Sequence, residues 1–267
     1  MHTISIFVDQ NRMPELASYF ECQTHLAKNL RNSANFILRN LRTGLKKDPV
    51  DRTSNENEVL ETVRIGIEMA NEKLQKDVDR LTKQLQSLPA SDPARTKIQK
   101  RIENKQKNHP IMPTSDHWML TYETLDAVMK NTKNPDYYAM PSQANQHVLR
   151  KVLKDWKSHF ELLASYRQNP GKFKAQPKQP GYIKTPYTTV TFTNQVAKRS
   201  DIKGKMHITF PRCSVPICVG KPEGSYVRTE VKPSYGGYMV YVTFQDEVKI
   251  PDIPENPTRI LGLDPGL

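Results

Sequence analysis

Apolar residues recur along this chain with two different periods, and the change from one to the other divides it. His2–Val8 alternates, with Ile4, Ile6 and Val8 on one face, and predicts a short strand. Pro14 then suits a first helical turn. From there Leu16, Phe20, Ala27, Leu30, Ala34, Ile37, Leu38 and Leu41 recur at three-to-four spacing, which predicts an amphipathic helix ending near Gly44. Lys46–Asn57 is polar, contains Pro49 and reads as a loop.

Leu60, Val63, Ile67, Ala70, Leu74, Val78, Leu81, Leu85 and Leu88 follow as a heptad seam with one stutter at Leu74–Val78. Pro89–Pro93 breaks it, and Ser91 or Asp92 can cap a return helix carrying Ile98 and Ile102 among many bases. The expected object is an antiparallel helical hairpin, a structural arm rather than a dimerisation coil. After a second break at His109–Pro113, Thr114 or Ser115 is expected to cap a helix bearing Trp118, Tyr122, Leu125 and Val128. Pro135–Pro141 reads as a connector. Ser142 is expected to cap a strong helix with Leu149, Val152, Leu153, Trp156, Phe160 and Leu163 buried, running out by Asn169-Pro170-Gly171.

Beyond Gly171 the texture changes. Pro and Lys dominate to Pro186, and then come short β-branched and aromatic runs: Thr188–Thr193, His207–Phe210, Ser214–Val219, Tyr226–Val231 and Tyr238–Phe244. Turn residues separate them, which predicts a small antiparallel sheet or barrel. Pro251–Pro257 reads as a linker, and Arg259–Leu267 begins as a buried strand. The fold class is therefore α+β.

Composition sharpens this picture. The 267 residues carry 40 Lys+Arg against 28 Asp+Glu, a formal +12. No apolar run approaches the roughly 20 residues of a membrane helix. Met1–Asp9 lacks a basic flank and apolar core, so no secretory signal is expected. Cys22, Cys213 and Cys218 make neither a disulfide framework nor a zinc pattern, which fits a reduced, cytoplasmic setting.

The charge is local. Leu149–Lys205 holds 13 bases against 3 acids, most of the whole excess. The bases are Arg150, Lys151, Lys154, Lys157, Arg167, Lys172, Lys174, Lys178, Lys184, Lys198, Arg199, Lys203 and Lys205. Trp156, Phe160, Tyr166, Phe173, Tyr182 and Tyr187 are interleaved with them. Cations meet phosphate and release counterions, and rings can stack on bases, so this mixture suits nucleic acid. Trp156 and Phe160, on a helix, read as core.

The last six residues, Gly262-Leu-Asp-Pro-Gly-Leu267, place Asp264 at the end of an apolar strand with a Gly two positions later. RNase-H-like nucleases place their first metal-binding carboxylate so, because phosphodiester hydrolysis with two Mg²⁺ ions needs a rigid hard-oxygen ligand. Read alone, the same residues also make a turn after an edge strand.

The order of these features resembles a known family. It runs from a short first strand and helical region to a Pro141-Ser142-Gln143 helix start with Gln146, then Leu149–Phe160 and a Pro/Lys stretch reaching Pro180–Lys184. A T-F-T-N strand at Thr191–Asn194 and a β region follow, leading through Ile250–Pro254 to Ile260–Gly266. The whole resembles TnpB, the transposon-encoded RNA-guided nuclease, and the compact type V CRISPR effectors related to it. Leu60–Lys107 is unmatched and reads as an insertion.

The resemblance implies residues 1–10 and 172–257 as an OB-like wedge barrel gripping a guide-RNA scaffold, and 11–171 as a helical recognition lobe along the guide–target heteroduplex. The insertion spans 58–108. Residues 258–267 would begin a RuvC nuclease domain. Asp264 would be its first catalytic carboxylate and a Mg²⁺ ligand. Trp118, Ser142, Gln146 and Thr193 would read a flanking motif in target double-stranded DNA. The Arg150–Lys205 bases with Tyr182 would contact nucleic-acid backbone, leaving sequence to guide pairing. Gln146 reads equally as an ordinary exposed helix residue, and Trp118 as core. The family's further Glu, second Asp and CxxC zinc ribbon lie beyond the first carboxylate. The expectation is therefore the N-terminal half of an RNA-guided DNA endonuclease, unable to cleave alone, in the cytoplasm of a bacterium or archaeon and nucleoid-associated. A nuclease-deficient RNA-guided repressor and a guide-independent RNA-binding protein are the alternatives.

Overall fold

A computed structural model of the chain describes residues 1–89 and 92–246. Strand β1 (His2–Asp9) opens the chain, and its Ile4, Ile6 and Val8 turn inward as their alternation requires. Helix α1 (Pro14–Gly44) follows, with Pro14 in its first turn, and buries the expected stripe from Leu16 to Leu41. Helix α2 (Ser54–Ser87) begins earlier than the polar run suggested. Thr53 accepts a bond from the Glu56 N–H while the Glu56 carboxylate accepts one from the Thr53 N–H. This capping box is legible as T-x-x-E.

Helix α3 (Ala94–Lys107) returns along α2, and Asp92 accepts a bond from the Ala94 N–H at 2.8 Å. Val78, Leu81, Ile98 and Ile102 form a small core between the two, separate from the main one, so the hairpin is an arm. The next helix, α4 (Tyr122–Asn131), corrects an expectation. Thr121 caps it, accepting from the Thr124 N–H at 3.2 Å, whereas Thr114 closes a local turn on the His117 N–H. Trp118 therefore precedes the helix. The 135–141 connector contains a short helix α5 (Pro135–Ala139), with Asn134 accepting from the Tyr137 N–H. Helix α6 (Ala144–Gln168) starts after Gln143, whose φ of 67° turns the chain into the helix. Ser142 is exposed and does not cap it.

The strands form two antiparallel sheets. β1, β2 (Val190–Thr193), β6 (Ser225–Ser234) and β7 (Gly237–Gln245) make one, in the order β1-β7-β6-β2. β3 (Lys198–Ile202), β4 (Lys205–Thr209) and β5 (Ile217–Gly220) make the other, in sequence order. Neither sheet closes into a barrel among the described residues. Ile4 faces Val242 and Ile6 faces Val240 across the β1–β7 pair. All the helices among the described residues thus lie, in sequence, between two neighbouring strands of one sheet. Phe20 on α1, Phe192 on β2 and Phe210 after β4 meet pairwise at 5.1 Å between Phe20 and Phe210 and between Phe192 and Phe210. These rings join the long helix to both sheets in a single core. Among the described residues no helix is long and apolar enough to cross a membrane.

Candidate nucleic-acid interface

The amphipathic pattern of α6 fixes which of its residues can meet a ligand. Leu149, Val152, Leu153 and Trp156 are buried against the core. His147, Arg150, Lys151 and Lys154 recur at helical spacing and face a cleft of about 530 Å³. Ala27 and Arg31 of α1 form a second wall. The floor is the outer face of the first sheet, with Thr188, Thr189 and Thr191 leading into and along β2, and Glu230 and Lys232 on β6. Thr191 lies directly opposite Glu230 in the ladder.

The electrostatics of this cleft are decided by who pairs with whom. It contains two acids, and an arginine holds each. Arg31 Nη2 lies 2.7 Å from Asp155, and Arg228 Nε lies 3.2 Å from Glu230. Lys151 and Lys154 make no ion pair among the described residues and are exposed. The Arg150 guanidinium lies over the Tyr122 ring, 3.9 Å from its centroid, a cation–π contact that limits its freedom. Lys232 lies over Tyr241 at 4.7 Å. His147 is held below its ordinary value, by burial first and then by Arg150 and Arg228, against a smaller opposing effect of Glu230. Near neutrality it is therefore an uncharged hydrogen-bonding group in a positive field.

The segment after α6 reaches the sheet by lying along α1. One polar stripe of that helix receives it. Asn35 donates to the Pro180 and Gly181 carbonyls, Arg39 donates to the Pro180 carbonyl at 2.8 Å, and Arg42 donates to the Gln179 side chain. Asn32 both donates to the Ile183 carbonyl and accepts its N–H. The Thr188 N–H donates to the Thr24 carbonyl, and the Tyr187 hydroxyl to Glu21. The extended strap 179–188 therefore runs antiparallel to the helix and presents Lys184 and the half-exposed Tyr182 ring, the latter over Arg39 at 5.3 Å.

The structure divides the predicted basic stripe into parts. Arg150, Lys151 and Lys154 share the cleft, while Lys157 lies nearby on α6 with Glu161 at 4.0 Å. Lys172, Lys174 and Lys178 are exposed on the segment leading into the strap. Lys198, Arg199, Lys203 and Lys205 are exposed positions of the β3–β4 hairpin in the second sheet, where Arg199 meets Asp201. Of the motif-reading candidates, Thr193 and the start of α6 do meet. The Thr193 hydroxyl donates to the Gln143 side chain, which in turn donates to Gln195. Ser142 is exposed there, and Gln146 is half-buried beside the Tyr137 hydroxyl. Trp118 is elsewhere and buried, its ring edge-on to Trp156 at 5.2 Å and to Phe160 at 5.8 Å, with the Arg42 guanidinium over it. Asp264 lies outside the described residues, and among those described no group of three or more His, Cys, Asp or Glu is placed to hold a metal ion. Sequence reasoning missed Arg31, Gln143, Thr189, Thr191 and Lys232; the polar stripe on α1 was the signal for Arg31's side of the cleft.

No family model matches the chain, and comparison with curated proteins finds no match.

Proposed function

We propose that this chain binds nucleic acid through the cleft between α6, α1 and the first sheet, and that it forms the N-terminal RNA- and DNA-binding half of an RNA-guided DNA endonuclease of the TnpB type. The observation that carries the binding reading is the pairing pattern in the cleft. Its two acids are each held by an arginine, so Lys151, Lys154 and Arg150 are left to neutralise phosphate. The threonines of the floor add short hydroxyl donors that suit phosphate oxygens and ribose.

Two arrangements support the finer reading. The helical region is inserted in sequence between β1 and β7, neighbours in one sheet, as a recognition lobe inserted in a wedge domain would be. Thr193 and Gln143 hydrogen-bond, which joins the T-F-T-N strand to the α6 start that the resemblance implicates in reading duplex DNA. In this reading Ser142, Gln146 and Thr193 face the flanking motif, Trp118 packs the core behind α6, and Asp264 begins a RuvC site that takes Mg²⁺. The wedge is then an OB-like sheet pair rather than a closed barrel.

The test is to purify the chain from its native host without nuclease treatment, extract the bound nucleic acid and sequence it. One structured RNA species enriched far above its cellular level is expected. Cellular RNA recovered in its ordinary proportions would contradict the guided reading, and recovery of none would contradict the cleft as a binding site.

A further inference from the structure

The arm formed by α2 and α3 has no role in the cleft, and its charge is segregated. α2 carries seven acids and five bases, whereas α3 carries six bases and one acid within 14 residues. Two of those six bases are used inside the arm. Arg95 donates to the Leu85 and Leu88 carbonyls, and Lys105 lies 2.9 Å from Asp77. Lys97, Lys100, Arg101 and Lys107 are exposed and make no ion pair among the described residues. At about 100° per residue they fall, with Asn104, within roughly a third of the helix circumference. Ile98 and Ile102 point to a different side, into α2.

We infer that this face of α3 is a second nucleic-acid surface, one that grips the phosphate backbone of a double helix outside the cleft. From Lys97 to Lys107 the face extends about 15 Å, at about 1.5 Å per residue. A duplex offers roughly nine phosphates over that length, at one per about 1.7 Å. The face has no aromatic side chain, so it lacks the stacking platforms by which proteins hold unpaired bases. Lys, Arg and amide groups alone suit a regular backbone, whether of RNA or DNA. A membrane surface fits less well, because an interfacial helix needs a free apolar face and the isoleucines of α3 are already covered. An arm with its own small core can project such a face without disturbing the main body.

The test compares three variants of the whole chain. An arm variant has Lys97, Lys100, Arg101 and Lys107 changed to Gln, which keeps helix propensity. A cleft variant has Lys151→Gln and Lys154→Gln. A charge-matched control has the exposed, scattered Arg12, Lys46, Lys133 and Lys221 changed to Gln. Circular dichroism establishes that each is folded. Affinity is measured for a 20-base-pair RNA duplex, the same DNA duplex, an unstructured single strand and phosphatidylserine vesicles, each over a salt series. The arm variant should bind one or both duplexes more weakly, with the log–log salt slope shallower by about 2 to 4, since each contact contributes about 0.9. Its single-strand binding should be unchanged, and which duplex suffers identifies the natural partner. Equal duplex loss in the control would reduce the effect to net charge and overturn the inference. So would an arm variant with unchanged duplex slopes, or one that loses vesicle binding alone. Failure of the cleft variant to lose affinity for any nucleic acid would count against the cleft and leave the arm standing.

Discussion

Asn35 is buried on α1, and both ends of its amide are in use. Its oxygen accepts from the Trp156 indole N–H at 2.9 Å, and its nitrogen donates to the Pro180 and Gly181 carbonyls. Three elements therefore meet on one side chain. Asn35→Ala orphans the indole N–H of the fully buried Trp156, and an unsatisfied buried donor costs about 1–3 kcal/mol. Urea unfolding should register that loss, and a change below about 0.5 kcal/mol would contradict it, being within the range of ordinary surface substitutions. Glu56 makes a second prediction at this scale. Bonds from Lys47 and Thr43 and from the Thr53 backbone hold its carboxyl down to about 2, against an ordinary 4.5. A depressed folded value stabilises the protein above about pH 4.5 and loses that stabilisation as pH falls toward 2. Thermal melts between pH 6 and 2 should show the wild type losing an increment over its Glu56→Gln variant across this window. Parallel curves would contradict the assignment.

At the scale of elements, Gly66 marks a close approach of α2 and α4. A Cβ there would lie 2.8 Å from the Val128 Cα, and the Gly66 carbonyl accepts from Asn131. Ala is the better helix former by about 1 kcal/mol, but a clash with backbone forces the helices apart, at about 1–3 kcal/mol. Gly66→Ala should therefore lower the melting temperature despite its gain in propensity, and a rise would show that the two helices separate freely. The elements that sequence alone revealed were those with a strong period. The stripe of α1, the seam of α2 and the alternation of β1 each placed their residues correctly. Those that escaped had no period to read. β3 is Lys-Arg-Ser-Asp-Ile and exposed along its whole length, so it shows no alternation and is held by backbone pairing to β4. The caps went astray for a related reason. Ser142 and Thr114 are good cap residues locally, but Gln143 turns the chain by a positive φ and Trp118 is drawn into the aromatic cluster of α6, so both helices start later.

For the whole molecule, the sequence revealed the amount and general position of the charge but not its division. Arg150 to Lys205 reads as one stripe, yet folding sends it to a cleft wall, a strap and a β-hairpin. What decides the cleft's chemistry is not on that stripe at all. Arg31, 124 residues from Asp155, neutralises it, and Arg228 does the same for Glu230, which the fold sets opposite Thr191. The Arg31–Asp155 pair depends on the packing of α1 against α6, and the approach of Glu230 to Thr191 on the register of β2 on β6, and no local pattern carries either. Arg228 and Glu230 pair locally, two residues apart on one face of β6. The central claim is that Lys151 and Lys154 are thereby free to bind phosphate. The most direct measurement is the salt dependence of binding to a structured RNA, for the wild type and for the Lys151→Gln/Lys154→Gln double variant. At about 0.9 per duplex phosphate contact and about 0.7 per single-stranded one, the slope should fall by about 1.5 with a loss of affinity. An unchanged slope and affinity would show that the cleft does not touch nucleic acid.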